Sequence, residues 1–298
     1  MHSDHNADPK LTAQDFADCC LNCRQSLEIL KPHILDFHKR IEKTSHADLE
    51  TWPPQALYAT FAILDDIAHL DVGDQLANLL LAEQQIVALL PSIRSFYTRF
   101  FDLHERHLVR DVLAASDPWR VLRDFPLFSR YEALAAAHGR AAGFDPDTRI
   151  VFLGCGAIPL SAVLFASLFG VHTVGVDNDR NAVEAARQCV ETFALQTHIK
   201  IVYGDETTLP QILSAEPPHA PDAILVAALA EPKKQIFTHL RRWVSDHPET
   251  QITYRTYTGL RAILYRPVQP SDVAGFRIVE IIEPTGRVNN TTVILNAV

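Results

Sequence analysis

From residue 149 onward the chain alternates between two kinds of segment. Short runs rich in β-branched and aromatic residues are followed by helical runs. Arg149–Leu153 precedes 159–168, Val171–Val176 precedes 181–194, Ile199–Tyr203 follows, and 222–227 precedes 232–243. Regular strand–helix succession predicts a mostly parallel sheet with helices on both faces, because parallel neighbours need a crossover and the helix supplies it. Gln251–Thr256 adds a strand, and Phe276–Ile282 with 291–295 read as a closing antiparallel pair.

The first third carries a different period. Leu57, Phe61, Leu64 and Ala68 recur at helical spacing, then Leu76, Leu80, Val87 and Leu90, then Ile93, Tyr97, Phe100 and Leu108. Gly73, the one glycine here, falls between two helical runs, where a helix stop is expected. Asp117-Pro118, Phe125-Pro126 and Phe144-Asp145-Pro146 mark connections around a helix over 131–142. Two domains follow: 1–124, an all-helical cap domain, and 125–298, Rossmann-like. A parallel sheet ending in an antiparallel pair is the class I methyltransferase variant, so the fold class is α/β with an N-terminal all-helical domain.

Composition narrows the function classes. The net charge is −9, from 36 acidic and 27 basic residues, which argues against nucleic acid as partner. No apolar run reaches the ~18 residues that span a bilayer, and Met1-His-Ser-Asp-His5 is not a secretion signal. A cytoplasmic enzyme without a membrane partner is expected. The five cysteines are an odd count that suits no disulfide framework. Cys19, Cys20 and Cys23, with His33 and His38, match no standard zinc spacing, so no metal is expected.

The first strand runs into Gly154-Cys155-Gly156-Ala157-Ile158-Pro159. Two glycines let the backbone turn sharply and approach a ligand. A dinucleotide fingerprint needs a third glycine where Pro159 stands, and proline instead suits a first helical turn. The loop therefore fits a mononucleoside better than NAD. The second strand ends at Asp177, 21 residues beyond Gly156, where a carboxylate can accept from ribose hydroxyls. Asp205 follows the third strand. Asp179 and Asp205 each have the alternative role of helix cap or loop residue. Three such signals at successive strand ends point to S-adenosylmethionine.

These residues also carry a family resemblance. Phe152-Leu-Gly-Cys-Gly-Ala-Ile-Pro-Leu160 resembles the FVGSGPLPLT loop of the nicotianamine synthase family. Val176-Asp-Asn-Asp179 resembles its FDID segment, and Val226-Ala-Ala-Leu229 its LAALV strand end. Residues 254–265, YRTYTGLRAILY, resemble LRSAHGARAFLYP, and Glu283-Pro-Thr285 with Asn290 follows its HPT…N tail. Leu103-His-Glu105 is similar to LEQHF, and 125–131 to FPYYxNY. The departures are Glu283 for the His of HPT, and Tyr257-Thr258 for the AH of RSAHG.

The resemblance implies S-adenosylmethionine as co-substrate and no required metal. It implies contacts from Gly154, Cys155, Gly156, Pro159, Asp177, Asn178, Asp205, Ala227 and Ala228. It implies transfer of an aminocarboxypropyl group with release of methylthioadenosine. The acceptor implied first is histidine, as in opine-metallophore synthesis, with the product passed to an opine-type dehydrogenase and a homodimer as a possible assembly. The alternatives are a nicotianamine synthase proper, a small-molecule methyltransferase and a non-catalytic binding domain.

An amine must lose a proton to attack. Glu105 shares a helix face with Phe101, Leu108 and Val112, where a carboxylate needs a partner or a task. It is the candidate base, with an ion pair to Arg106 or Arg130 as the structural alternative. Tyr131 is the candidate to position the proton, or else a packed helix-start tyrosine. Arg255 and Arg261 can grip carboxylates, Arg255 serving equally as a strand-end ion pair. Tyr257 is the candidate cleft residue, or a surface tyrosine.

Overall fold

A computed structural model describes residues 21–214 and 220–298. Cys19 and Cys20 lie outside the described residues, as does the side chain of Cys23.

By density of internal contacts the chain forms two compact units: Met1–Asp102 with Tyr257–Pro270, and Leu103–Thr256 with Ser271–Val298. This division differs from a boundary at 124. It falls inside one helix, and a short C-terminal segment groups with the N-terminal unit.

In the described part of the first unit, helices α1 (Leu21–Ile41), α2 (His46–Thr51), α3 (Pro54–Ala68) and α4 (Asp74–Ala82) are followed by the start of α5 (Gln84–Ala114). Ser45 caps α2 through a reciprocal pair, its hydroxyl accepting from the Asp48 N–H while the Asp48 carboxylate accepts from the Ser45 N–H. Gly73 is the N-cap of α4, so it opens a helix rather than stopping one. The apolar stripe holds for Leu57, Phe61, Leu64 and Ala68, all buried. Phe61 stacks on Phe100 at 4.0 Å between ring centroids. Val87 does not join the core. It is 47% exposed, because the buried stripe of α5 runs through Ile86, Leu90 and Ile93 and turns Val87 outward. A 3₁₀ turn, Gly259–Ile263, belongs to this unit, and Tyr257 and Tyr97 share a 3.1 Å hydroxyl–hydroxyl hydrogen bond.

The second unit begins with the remainder of α5, then α6 (Pro118–Asp124), with Asp117 accepting from the Arg120 N–H, and α7 (Phe128–Ala141). The sheet follows: β1 (Arg149–Leu153), α8 (Leu160–Phe169), β2 (His172–Asp177), α9 (Arg180–Thr192), β3 (Ile199–Tyr203), α10 (Leu209–Ser214), β4 (Ala223–Val226), α11 (Lys233–Asp246), β5 (Gln251–Thr256), β6 (Phe276–Ile282) and β7 (Thr291–Ala297). The strand order is β3-β2-β1-β4-β5-β7-β6. The first five strands are parallel, and β7 pairs antiparallel with both β5 and β6. This is the class I methyltransferase-like sheet, inferred above from the alternation and the closing pair. β4 is buried at every position and β1 at all but Arg149, as parallel strands covered on both faces require. β6, at the edge, is largely exposed, and a register irregularity between Ile278 and Glu280 interrupts its ladder.

Candidate functional site

The second unit gathers the expected nucleotide residues at the C-terminal ends of its parallel strands. Gly154 and Gly156 have φ of +76° and +73°, backbone that L side chains rarely adopt. Both are also crowded. A β-carbon on Gly154 would lie 3.0 Å from that of Ala230 and 3.3 Å from that of Ala227. On Gly156 it would lie 3.2 Å from Glu105 Oε2. The turn is held from β2: Gly154 N–H donates to Val176 O at 2.8 Å, and Gly156 N–H to Asp177 Oδ2 at 2.8 Å. Asp177 Oδ1 accepts the Asp179 N–H at 3.0 Å. Asp177 thus organises the loop as well as standing where a ribose acceptor is expected.

The neighbouring acids divide by role. Asp179 is the N-cap of α9 and accepts from the Asn181 N–H, so the capping alternative describes it. Asn178 is exposed beside it. Asp205 accepts the Thr207 hydroxyl and N–H, and chiefly the hydroxyl bond holds its carboxyl below the usual range. Pro159 is the N-cap of α8, one residue before the helix begins. The Cys155 thiol is buried, and burial first, then the charges of Asp177 and Glu105, push it far above the ordinary thiol range. It is therefore not a thiolate nucleophile, and two carboxylates place a negative field at the loop.

Glu105 is half-buried on the α5 face where Phe101, Leu108 and Val112 are buried. It belongs to the same compact unit as the glycine loop. Tyr131, half-buried on α7, has its ring 6.3 Å from that of Phe125. Arg255 is the penultimate residue of β5, is 5% exposed, and donates from Nη1 to the Ser161 hydroxyl at 2.7 Å. Tyr257 is buried rather than a surface residue, and with Arg261 it belongs to the other unit. Ala227 and Ala228 form the turn after β4, half-buried.

Two features were not anticipated. Arg180 lies over the Tyr203 ring, 4.1 Å from its centroid, next to Asp177, a cation–π contact that two residues 23 apart do not announce. Lys233 is 2% exposed and donates from Nζ to Ala227 O at 3.1 Å, to Ala228 O at 2.9 Å and to Ala230 O. A cavity of about 340 Å³ opens at the other ends of the strands, lined by Arg149, His172, Thr173, His198 and Lys200. It contains none of the expected site residues. Among the described residues no group of three or more His, Cys, Asp or Glu side chains could hold a metal ion, and no single helix is long and apolar enough to cross a membrane.

A parallel sheet closed by an antiparallel pair, a two-glycine turn after β1 and an acid closing β2 together define an α/β protein of the class I methyltransferase-like type. The family model described as "Nicotianamine synthase protein" matches residues 23–298, and the chain belongs to that family. L-histidine 2-aminobutanoyltransferase of Pseudomonas aeruginosa is 28% identical over 140 residues, 46% of this chain and 49% of the relative. Nicotianamine synthase 3 of Oryza sativa subsp. indica is 31% identical over 207 residues, 62% of this chain and 56% of the relative. The chain thus spans about half the length of the curated relatives it matches. A solved MtNAS structure, a glutamate-to-glutamine variant in complex with S-adenosylmethionine, superposes with a TM-score of 0.80 at 28% identity, covering 94% of this chain and 99% of that one. MtNAS in complex with MTA and tNA gives a TM-score of 0.79, also at 28% identity, covering 94% and 100%.

Proposed function

We propose that this chain transfers the 3-amino-3-carboxypropyl group of S-adenosylmethionine to the amine of histidine and releases methylthioadenosine. The observation that carries the reading is the Glu105 carboxylate lying against Gly156 in a loop that Asp177 braces. A sulfonium donor is cationic, and the two carboxylates whose charges reach Cys155 supply a favourable field for it. Gly154, Gly156, Pro159, Asp177, Asn178, Asp205, Ala227 and Ala228, with the backbone of Cys155, hold the nucleoside. Glu105 is the base: the acceptor nitrogen forms a bond to the γ-carbon of the aminocarboxypropyl group, the carbon–sulfur bond breaks, and sulfur keeps the electron pair as a neutral thioether. The proton of the amine goes to Glu105, with Tyr131 orienting it. Arg255, Tyr257 and Arg261 are assigned to the amino-acid portions of the substrates.

Similarity to the Pseudomonas aeruginosa histidine transferase supports histidine as acceptor. Similarity to the rice nicotianamine synthase supports a second reading, in which S-adenosylmethionine is donor and acceptor. Glu283 and Tyr257-Thr258, standing where that family carries HPT and AH, favour the first. The product would pass to an opine-type dehydrogenase in a cytoplasmic metal-acquisition route, with a homodimer as the proposed assembly and no membrane or nucleic-acid partner.

Incubation with S-adenosylmethionine and single amino acids, read by mass spectrometry, tests this. Methylthioadenosine and a singly alkylated histidine are expected. S-adenosylhomocysteine as the nucleoside product would overturn the transfer. Alkylation of another amine with histidine untouched would overturn the acceptor.

A further inference from the structure

Lys233 stands in an electrostatically unfavourable place. It is the first residue of α11, where the helix dipole is positive, and its side chain is 2% exposed. A buried ammonium at a helix N-terminus is costly unless its protons are met. Here they are. An ammonium has three N–H donors, and Nζ donates to three carbonyls, of Ala227, Ala228 and Ala230, all within the turn that leaves β4. Two backbone bonds frame the same turn, Ala227 N–H to Leu153 O at 3.0 Å and Ala230 N–H to Ala227 O at 3.2 Å. The Lys233 N–H is itself held by Glu231 Oε2 at 2.9 Å.

The outcome is a turn in which the carbonyls of Ala227, Ala228 and Ala230 face the lysine and the methyls of Ala227 and Ala230 face Gly154. The β-carbons of Ala230 and Ala227 are the nearest atoms to the position a Gly154 side chain would take, at 3.0 and 3.3 Å. We propose that Lys233 is a positioning residue for the nucleoside donor: it draws the Ala227, Ala228 and Ala230 carbonyls inward and so sets the alanine wall against Gly154. It acts through the turn. This inference rests on the reading above that the loop after β1 holds S-adenosylmethionine.

The test measures methylthioadenosine affinity by calorimetry, with KM and kcat for S-adenosylmethionine, on protein shown folded by circular dichroism. Lys233→Met keeps the stem and removes the donors. Its Kd and KM should rise by roughly tenfold or more, on the scale of one lost charge-assisted hydrogen bond, while kcat changes much less, the signature of lost uniform binding. Lys233→Arg keeps the charge, but a planar fork cannot meet three converging carbonyls as an ammonium does. It should weaken binding in the same direction, and it decides the matter if the methionine variant does not fold. Wild-type affinity in a folded variant would reduce Lys233 to a purely structural role and leave the proposed function standing. Failure of the wild-type protein to bind methylthioadenosine would overturn both.

Discussion

A β-carbon added to Gly156 would come within 3.2 Å of Glu105 Oε2. A residue from the end of the long helix and a residue from the loop after β1 therefore constrain each other directly, and the glycine is required twice, by its φ of +73° and by the carboxylate. Gly156→Ala should lower the melting temperature, the left-handed backbone alone costing on the order of 1 kcal/mol. Glu105→Gln keeps the shape and removes the basicity. It should reduce turnover by about 10²–10⁴, the range for a positioned acid–base group, with methylthioadenosine affinity retained. Turnover near wild type in folded Glu105→Gln would return Glu105 to a structural role.

Asp177 accepts two N–H groups on its two oxygens, from Gly156 and Asp179. Asn in its place offers one carbonyl oxygen and an amide that must face a donor. Asp177→Asn should therefore loosen the turn and abolish most of the rise in melting temperature that methylthioadenosine produces, since that rise reports binding to the native state alone. A full ligand-induced shift in the variant would show that the turn holds without the carboxylate.

His138 gives the fold an acid limit. It is 1% exposed, and neither ring nitrogen finds a hydrogen-bond partner among the described residues. Its ring sits 5.2 Å from that of Phe144 and 5.3 Å from that of Phe165. Burial first, then the charge of Arg255, push it down to about 3. The unfolded chain protonates this imidazole near pH ~6.5. Below that value the unfolded state binds a proton that the native state refuses, so stability falls as pH drops and levels off only near 3. The slope is at most about 1.4 kcal/mol per pH unit for one group. His138→Phe should flatten the fall in melting temperature between about pH 6 and pH 4. His104, fully buried and also lowered to about 3, keeps part of the slope in place. Equal slopes in the variant and wild type would place the acid sensitivity elsewhere.

The sheet was legible because its signal is local. Each strand of the parallel set is a short apolar run, and α9 and α11 each show a helical period, while α8 is apolar all round. Gly154, Gly156 and Asp177 were singled out by their places at strand ends, and they do meet in one turn, where Asp177 accepts from the Gly156 N–H, while Asp179 is a helix cap. The division of the chain was not. Nothing in the helical period along the 31 residues of α5 marks where one unit gives way to the other, and the proline-flanked connections near 117–126 look like a boundary although the chain divides earlier. Lys233 was hidden for a related reason. A lysine opening an amphipathic helix reads as a solvated residue, and only the fold brings the three carbonyls to it. Val87 failed because the spacing that linked it to Leu76 and Leu80 crosses the break between α4 and α5, and the new helix buries Ile86 instead.

The connectivity of the two units has an evolutionary corollary. The chain passes from one unit to the other at 102/103, at 256/257 and at 270/271. No contiguous stretch of the gene encodes either unit whole. Moving either unit as one uninterrupted segment would therefore leave part of it behind, and a single-junction exchange could not carry the helical unit whole.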